Sequence, residues 1–214
     1  MIGFIGGTGP EGRGLALRFA LSGEDILIGS RDMERAKSAA DSVREIAPVI
    51  SIDGGLNSDV AAQSDIVVIA VPYSAQKPTL ESLTSELSGK LIINVVAPLA
   101  FNKGIASAVR VEAGSAALEA QEIVPDATHT AAFHNVSAQE LLIPDRSLDT
   151  DIIVFADDAD AKCKVIALAE TITGARGIDG GGLMNARYCE DLTALLLNIN
   201  RIYKAHSMIK IVGV

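Results

Sequence analysis

Short apolar runs alternate, along the first half of the chain, with stretches in which apolar residues recur at helical spacing. The first run, Ile2–Ile5, precedes a glycine cluster and a helical face that contains Leu15 and Phe19. The runs that follow are Ile26–Ile28, Val49–Ile52, Ile66–Val71 and Leu91–Val96. They are continuous rather than alternating, which is typical of strands buried on both faces of a parallel sheet. The pattern therefore predicts right-handed βαβ units in a doubly wound, mainly parallel α/β sheet.

A glycine cluster directly follows the first apolar run. Gly7-Thr8-Gly9-Pro10-Glu11-Gly12 fits the pattern G-x-G-x-x-G and opens the first amphipathic helix. In dinucleotide-binding folds the first glycine allows a tight turn, the second lets a pyrophosphate approach the backbone, and the third allows close packing of helix on strand. The helix N-terminus adds a partial positive charge for the anion. This context favours a Rossmann-type dinucleotide site over a purely structural glycine turn.

The end of the second apolar run indicates which dinucleotide is bound. NAD-selective sheets carry Asp or Glu about 20 residues beyond the glycines, where it binds the ribose 2′-hydroxyl. This chain has Gly29, Ser30 and Arg31 at that point, with Arg35 one helical turn further on. Guanidinium groups match phosphate oxygens in charge and geometry, so the pattern favours NADP(H). The alternative is an ordinary solvated helix face, on which the arginines pair with neighbouring acidic residues.

The pattern changes after about Pro98. A helix is predicted over Ser115–Val124, a strand over Ala127–Thr130, a second strand over Ile152–Phe155 and a helix from Asp158 to about Thr173. A long helix is expected from Met184 to about His206, with an apolar stripe that could pack on the sheet or on a second subunit. We expect residues 1–144 to form the NADP-binding Rossmann domain and residues 145–214 a smaller C-terminal portion ending in the long helix.

Composition excludes several classes of protein. The chain has 214 residues, is 49% hydrophobic and carries a formal net charge of −9. Its mean hydropathy of +0.32 argues against disorder, and the acidic balance argues against a nucleic-acid surface. No apolar run approaches the ~18 residues of a membrane span, and the N-terminus lacks the basic segment of a signal peptide. Two cysteines without a CxxC pair suit a cytoplasmic protein, and we expect neither a disulfide nor a metal site.

Few other residues point to chemistry. His129 follows a predicted strand, at the edge where ligands of open α/β sheets bind, and is a candidate hydrogen-bond donor to a bound ring or a structural histidine. No Ser-His-Asp order, metal-binding cluster or carboxylate pair stands out. Hydride transfer needs none of these groups, because it requires little more than two cofactor carbons held at ~3–3.5 Å.

Several segments together resemble a known family. They are Gly6–Arg18, Gly29–Arg31, His129-Thr130, Asp157-Asp158, Gly181–Arg187 and Glu190–Ile199. These segments are similar to the NADPH:coenzyme F420 oxidoreductases of archaea and some bacteria, and the likeness runs nearly the whole length of the chain. The block that begins at Gly181 is its most specific part. The resemblance implies reversible hydride transfer between the nicotinamide of NADPH and the deazaflavin ring of F420.

The resemblance also implies roles for residues of the predicted cleft. The adenosine 2′-phosphate would be held by Thr8, Ser30, Arg31 and Arg35, and the pyrophosphate by the backbone of Gly9–Glu11. The nicotinamide side would be lined by Val71, Ala75, Ala97 and Phe133. The deazaflavin would be faced by His129, Leu183, Met184, Asn185, Ser207 and Met208. In this scheme His129 positions the ring, and the C-terminal portion completes the deazaflavin cleft.

Two other functions stay open from the sequence. One is an NADP-dependent reductase of another small acceptor, such as a flavin, a ferric chelate or an imine. The other is a non-catalytic NADP-binding sensor. We expect small-molecule partners, no nucleic acid and no membrane. For an F420-dependent NADP reductase we expect a homodimer with the long C-terminal helix at its interface.

Overall fold

The chain folds around an eight-stranded sheet, and the computed structural model describes all of residues 1–214. The strands are β1 (Ile2–Ile5), β2 (Ile26–Ser30), β3 (Ile52–Leu56), β4 (Ile66–Ile69), β5 (Leu91–Asn94), β6 (Leu99–Asn102), β7 (Ile105–Ala108), β8 (Thr128–Ala131), β9 (Thr150–Ala156) and β10 (Ala175–Asp179). The helices are α1 (Pro10–Leu21), α2 (Met33–Ile46), α3 (Asn57–Gln63), α4 (Tyr73–Glu81), α5 (Thr84–Leu87), α6 (Ala116–Ile123), α7 (Ala138–Leu141), α8 (Ala159–Glu170) and α9 (Ala186–Tyr203). None of these helices combines the length and apolar character needed to span a bilayer.

The strand order across the sheet is β10-β9-β8-β5-β4-β1-β2-β3. Neighbouring strands are parallel except β8 and β9, which are antiparallel, while β6 and β7 form a separate antiparallel hairpin. The order reverses between β1 and β4, so the loops after these two strands diverge and leave a crevice at their carboxyl ends. The predicted doubly wound, mainly parallel α/β sheet is confirmed.

Local sequence signals explain where the helices begin and end. Pro10 opens α1 at a position where the missing N–H is not needed, and Gly23 follows that helix with φ +98°. The side chains of Ser115 and Asp158 accept hydrogen bonds from the first turns of α6 and α8 and so cap them. The helices predicted in these regions are therefore confirmed, with ends shifted by a few residues.

Helix α1 is fixed on two sides, and this holds the glycine loop at its N-terminus. The ring of Phe19 packs between Phe4 of β1, at 6.1 Å between ring centroids, and Phe133, at 5.6 Å in an edge-on arrangement. Next to it, the buried guanidinium of Arg18 donates hydrogen bonds to four carbonyl groups at the end of α7, those of Glu140, Leu141, Ile143 and Pro144. These bonds satisfy carbonyls that a helix end leaves without partners.

The third strand does not lie where the apolar pattern placed it. The prediction was Val49–Ile52, whereas β3 runs from Ile52 to Leu56 and contains Gly54 and Gly55. A Cβ atom at Gly54 would lie 2.4 Å from the backbone of Ala36, so α2 packs directly on this strand. Close packing of the helix requires a glycine there, and glycine carries no apolar signal.

The second half of the chain adds three strands, β8, β9 and β10, to the main sheet. β9 was predicted, but β10 and the β6–β7 hairpin were not, because polar residues and glycine interrupt their apolar pattern. The long helix is also shorter than expected: a 3₁₀ turn covers Leu183–Asn185, and α9 ends at Tyr203 before Lys204, whose φ is +51°. Its 18 residues give a length of ~27 Å.

Candidate active site

The glycine loop joins β1 to α1 at the crevice. The N–H of Gly7 donates to the carbonyl of Gly29 at 3.1 Å, which ties the loop to β2. A Cβ atom at Gly12 would lie 2.6 Å from the Cα of Gly7, so the third glycine of the motif is required by close packing. A Cβ atom at Gly9 would meet no heavy atom within 4 Å. The loop is therefore closed at its third glycine and open at its second, as a pyrophosphate at the N-terminus of α1 requires.

A groove beside the loop contains one of the two predicted arginines. Its volume is about 460 Å³, and its lining residues are Thr8, Arg13, Glu34, Arg35, Ser38, Ala39 and Ser42. Neither Arg31 nor Arg35 forms an ion pair. The carboxylate of Asp32 instead caps α2 by accepting a hydrogen bond from the backbone N–H of Arg35 at 2.9 Å. The guanidinium groups are thus left available for a phosphate.

The other predicted arginine faces a second groove. Arg31 and Ser30, at the end of β2, line a space of about 390 Å³ together with Asn57, Ala75 and residues of α4. Ser30 accepts a hydrogen bond from the N–H of Asp32 at 3.2 Å, which orders the turn into α2. Arg31 and Arg35 therefore face different grooves, and the structure does not bring them into one cavity.

Arg13 is a groove residue that sequence reasoning missed. Its Nη1 donates to Ser42 Oγ at 3.1 Å, while its Nε is buried without a hydrogen-bond partner. An unpartnered buried guanidinium nitrogen is costly, so the groove suits an anion at this point. The available signal was a basic residue directly after the last glycine of the motif. Together with the open space at Gly9, this nitrogen fits the phosphates of a dinucleotide.

The residues expected around the nicotinamide have different environments. Val71 lies against the loop, because a Cβ atom at Gly6 would be 2.3 Å from its Cγ1. Ala97 is half-buried after β5, and Ala75 lines the groove of Arg31. Phe133 does not present its ring to the crevice: it is 2% exposed, adopts φ +68° and packs on Phe19. The ring of Phe133 is therefore part of the core in this structure.

A third cavity, of about 560 Å³, lies between the start of α1, the segment after β8 and the end of α9. It is lined by Glu11, His134, Asn135, Val136, Ser137, Ala138, Gln139, Thr193, Leu196, Leu197, Asn200, Lys204, Ala205, His206 and Ser207. Ser207 is the one predicted deazaflavin contact found here. His134 was not predicted, although it follows the strand that made His129 a candidate.

His129 lies in β8 and is almost completely buried. It is 5% exposed, and its Nε2 donates to the carbonyl of Val124 at 2.8 Å, while its Nδ1 is buried without a partner. Burial lowers the pKa of His129, so the ring is neutral at pH 7. The structure places His134, and not His129, at the cavity of about 560 Å³.

The other residues expected at the deazaflavin are also dispersed. Leu183 is fully buried in a small cluster with Phe155 and neighbouring residues, and Met208 packs against the main core. Asn185 donates to the carbonyl of Gly180 at 3.0 Å, and Met184 is 68% exposed. The loop Leu183–Asn185 therefore does not share a cavity with Ser207 in this structure.

A buried polar network supports the loop after β5. Asn94 accepts a hydrogen bond from the N–H of Val96 and donates to Gln76, which in turn donates to Glu119 at 2.8 Å. Tyr73 also donates to Glu119, at 3.0 Å. The network fixes the backbone at the carboxyl ends of β4 and β5. Its members are far apart in the sequence, so no local pattern could reveal it.

Glu190 of α9 caps the N-terminus of α6. Its carboxylate accepts hydrogen bonds from the N–H groups of Ala116 at 2.8 Å and Ala117 at 3.1 Å. Burial raises the pKa of Glu190 to about 7, against the opposing effect of these two hydrogen bonds. The C-terminal helix is thereby connected to the helix that precedes β8.

Comparisons with known proteins agree with this geometry. The family described as NADP oxidoreductase, coenzyme F420-dependent, matches residues 1–98. The chain is 45% identical over 206 residues to an F420-dependent NADP reductase of Methanothermobacter thermautotrophicus, covering 93% of this chain and 88% of that protein. It is 37% identical over 210 residues to the F420-dependent NADP reductase of Methanocaldococcus jannaschii, covering 95% and 94%.

A solved structure shares the fold along its full length. The protein is from Arthrobacter sp. FB24, is 25% identical to this chain and superposes with a TM-score of 0.85, covering 99% of both chains. The glycine loop, the arginine grooves and the sequence identity to two archaeal reductases lead to one assignment. This chain belongs to the family of F420-dependent NADP reductases.

Proposed function

We propose that this protein catalyses reversible hydride transfer between NADPH and the deazaflavin coenzyme F420. The observation that carries the proposal is the 45% identity, over 93% of the chain, to a protein named F420-dependent NADP reductase. The geometry supports it, because the glycine loop is open at Gly9 and the adjoining groove offers guanidinium groups without anionic partners. NADPH, when bound, supplies the hydride.

The binding of NADP(H) is assigned to the loop and the two grooves. We propose that the backbone of Gly9–Glu11 holds the pyrophosphate. We also propose that the adenosine 2′-phosphate lies at the end of β2, with Thr8 and Arg35 reaching it from one groove and Ser30 and Arg31 from the other. Arg13 joins this set because its Nε has no partner within the protein. Guanidinium groups on both sides of the end of β2 compensate locally for the net charge of −9, which would otherwise repel a polyanion.

The acceptor side is assigned to residues of the C-terminal portion. We propose that residues 145–214, with Ser207 at the cavity of about 560 Å³, complete the deazaflavin cleft. The side chains that line it have no nucleophile activated by a base, so they act by orienting the ring and excluding water. Val71 and Ala97, at the ends of neighbouring strands, would form the nicotinamide side of the same cleft.

The assembly proposed is a homodimer in the cytoplasm. Several large apolar side chains of α9 are exposed, among them Leu195 at 55%, Ile202 at 66% and Tyr203 at 75%. An apolar surface of this kind favours contact with a second subunit. Both cysteines are free thiols, which suits a reducing compartment.

The test is a spectroscopic assay with purified protein, NADPH and F420. F420 loses its visible absorbance on reduction, so we expect bleaching with NADPH and far slower bleaching with NADH. Tight binding of NADPH without any bleaching would instead indicate a sensor. Oxidation of NADPH by free flavin, a ferric chelate or an imine, but not by F420, would indicate a reductase of another acceptor.

A further inference from the structure

Two buried polar groups in the cavity of about 560 Å³ have no hydrogen-bond partner in the protein. One is Oε1 of Glu11, in the first turn of α1. The other is His134, which is 8% exposed and whose two ring nitrogens are both buried without partners. A buried polar atom that loses its hydrogen bonds to water and forms none within the protein destabilises the fold. Such atoms therefore suggest a ligand that forms hydrogen bonds with them.

Several polar neighbours of these two groups already have hydrogen-bond partners within the protein. Asn200 accepts hydrogen bonds from both the N–H and the hydroxyl of Ser207 at 2.6 Å, and His206 contacts Glu140 at 2.9 Å. Thr193 donates to the backbone carbonyl of His134 at 3.0 Å, which positions that residue but leaves its ring free. Glu11 and His134 are therefore the side chains of this cavity that combine burial with unpartnered polar atoms.

The charge states of the pair define the chemistry of that ligand. Burial raises the pKa of Glu11 to about 8 and lowers the pKa of His134 to about 4, so both are neutral at pH 7. A neutral carboxylic acid offers one donor and one acceptor, and a neutral imidazole does the same. Their complement is an uncharged edge that carries both acceptors and donors, such as the C=O, N–H and C=O groups of a cyclic imide.

The mouth of the cavity differs from its interior. Lys204 is exposed there, adopts φ +51° after α9 and forms no ion pair. A free ammonium at the mouth suits a molecule that places a hydrogen-bonding ring edge inside the cavity and an anionic chain outside it. The deazaflavin of F420 has this combination, with an imide edge on the ring and a phosphodiester in its side chain.

We propose that Glu11 and His134 form a subsite that recognises the imide edge of the deazaflavin ring. The proposal rests on the function proposed above and deepens it by assigning a ring contact to two residues that the sequence did not place there. Glu11 then has two roles: its backbone lies at the pyrophosphate, and its side chain reaches the second cofactor.

The test measures binding rather than turnover. Dissociation constants for F420 and for NADPH are determined separately, by fluorescence, for the unmodified protein, Glu11→Leu, Glu11→Gln and His134→Leu. We expect Glu11→Leu and His134→Leu to weaken F420 binding about 10-fold or more, because the imide loses a partner in a desolvated site. Glu11→Gln keeps a neutral donor and acceptor, so F420 binding should stay within about 3-fold. The exposed Glu45→Leu is the matched control and should change neither constant.

Far-UV circular dichroism shows whether each variant is folded. For a variant that is not folded, a comparison of two ligands on the unmodified protein replaces the measurement. F420 and a derivative methylated at the imide nitrogen are compared on the unmodified protein, where methylation should weaken binding about 10-fold. Equal binding of the two ligands, or full F420 affinity in both leucine variants, would overturn the subsite. If the unmodified protein fails to bind F420 at all, the proposed function itself is wrong.

Discussion

Arg13 of α1 donates a hydrogen bond from Nη1 to Ser42 Oγ of α2 at 3.1 Å. The bond spans the two helices that follow β1 and β2, and it holds the guanidinium in the groove shared with Thr8 and Arg35. Because Nε stays unpartnered, the arginine is oriented but not neutralised. Such preorganisation reduces the entropy lost when a phosphate binds.

The variant Arg13→Met should therefore weaken NADPH binding by about 10-fold or more, through loss of a charge-assisted hydrogen bond. NADH lacks the 2′-phosphate, so its affinity should change less. Fluorescence titration with both dinucleotides measures the difference. Lys37→Met, an exposed substitution on α2 outside the groove, serves as the control and should leave both affinities unchanged.

The variant Arg31→Ala tests the second groove. We expect the KM for NADPH to rise about 10- to 100-fold and the KM for NADH to change far less, because Arg31 is proposed to contact the 2′-phosphate, which NADH lacks. Steady-state kinetics with each dinucleotide provides the comparison. Equal effects on both dinucleotides would remove the assignment of Arg31 to the 2′-phosphate.

The ionisation of Glu11 predicts a pH dependence of NADPH binding. Burial raises its pKa to about 8, so the carboxyl is neutral at pH 7 and becomes negative as the pH rises through 8. The new charge lies beside the proposed pyrophosphate site, and NADPH affinity should fall between pH 7 and pH 9. Glu11→Gln cannot ionise, so its affinity should stay flat over the same interval. A parallel fall in both proteins would assign the effect to another group.

The buried carboxyl of Glu190 predicts a pH dependence of stability. Its pKa is raised to about 7 in the folded state, above its usual value, so the folded state binds a proton more tightly than the unfolded state. The resulting stabilisation is complete below the unfolded pKa and is lost as the pH rises to about 7. Relative to Glu190→Gln, the protein should lose on the order of 1–3 kcal/mol of unfolding free energy between pH 5 and pH 8. Urea denaturation at both values measures the difference, and an unchanged difference would contradict the shift.

The environment of His129 predicts an effect on folding rather than on chemistry. His129→Ala removes the hydrogen bond to Val124 and leaves a small void, so we expect a loss of about 2 kcal/mol in stability. Turnover with F420 should fall less than about 10-fold at a temperature where the variant is folded. Thermal unfolding and steady-state kinetics separate the two effects. A folded variant with a much larger loss of turnover would indicate that His129 takes part in the reaction.

Local signals were sufficient for the part of the fold that creates the dinucleotide site. The glycine motif lies in one short loop, and the caps Ser115 and Asp158 accept hydrogen bonds from N–H groups three residues further on. Tertiary contacts determine the positions of the other side chains at the candidate site. Phe133 and His134 are neighbours in sequence, yet one packs on Phe19 and the other lines a cavity, because φ +68° at Phe133 turns the chain. The spacing of apolar residues along the sequence reveals neither this turn nor the absence of a hydrogen-bond partner for Nε of Arg13.

The antiparallel pairing of β9 with β8 covers an edge of the sheet that would otherwise be open. Thr130 and Ala131 pair with the last residues of β9, so the first part of that strand extends beyond the end of β8. Asp151 and Ile152 lie there against the segment that contains His134. Without the final third of the sequence, β8 would present an open edge strand, and open edges invite pairing between molecules. Residues 145–214 therefore also protect the sheet from aggregation.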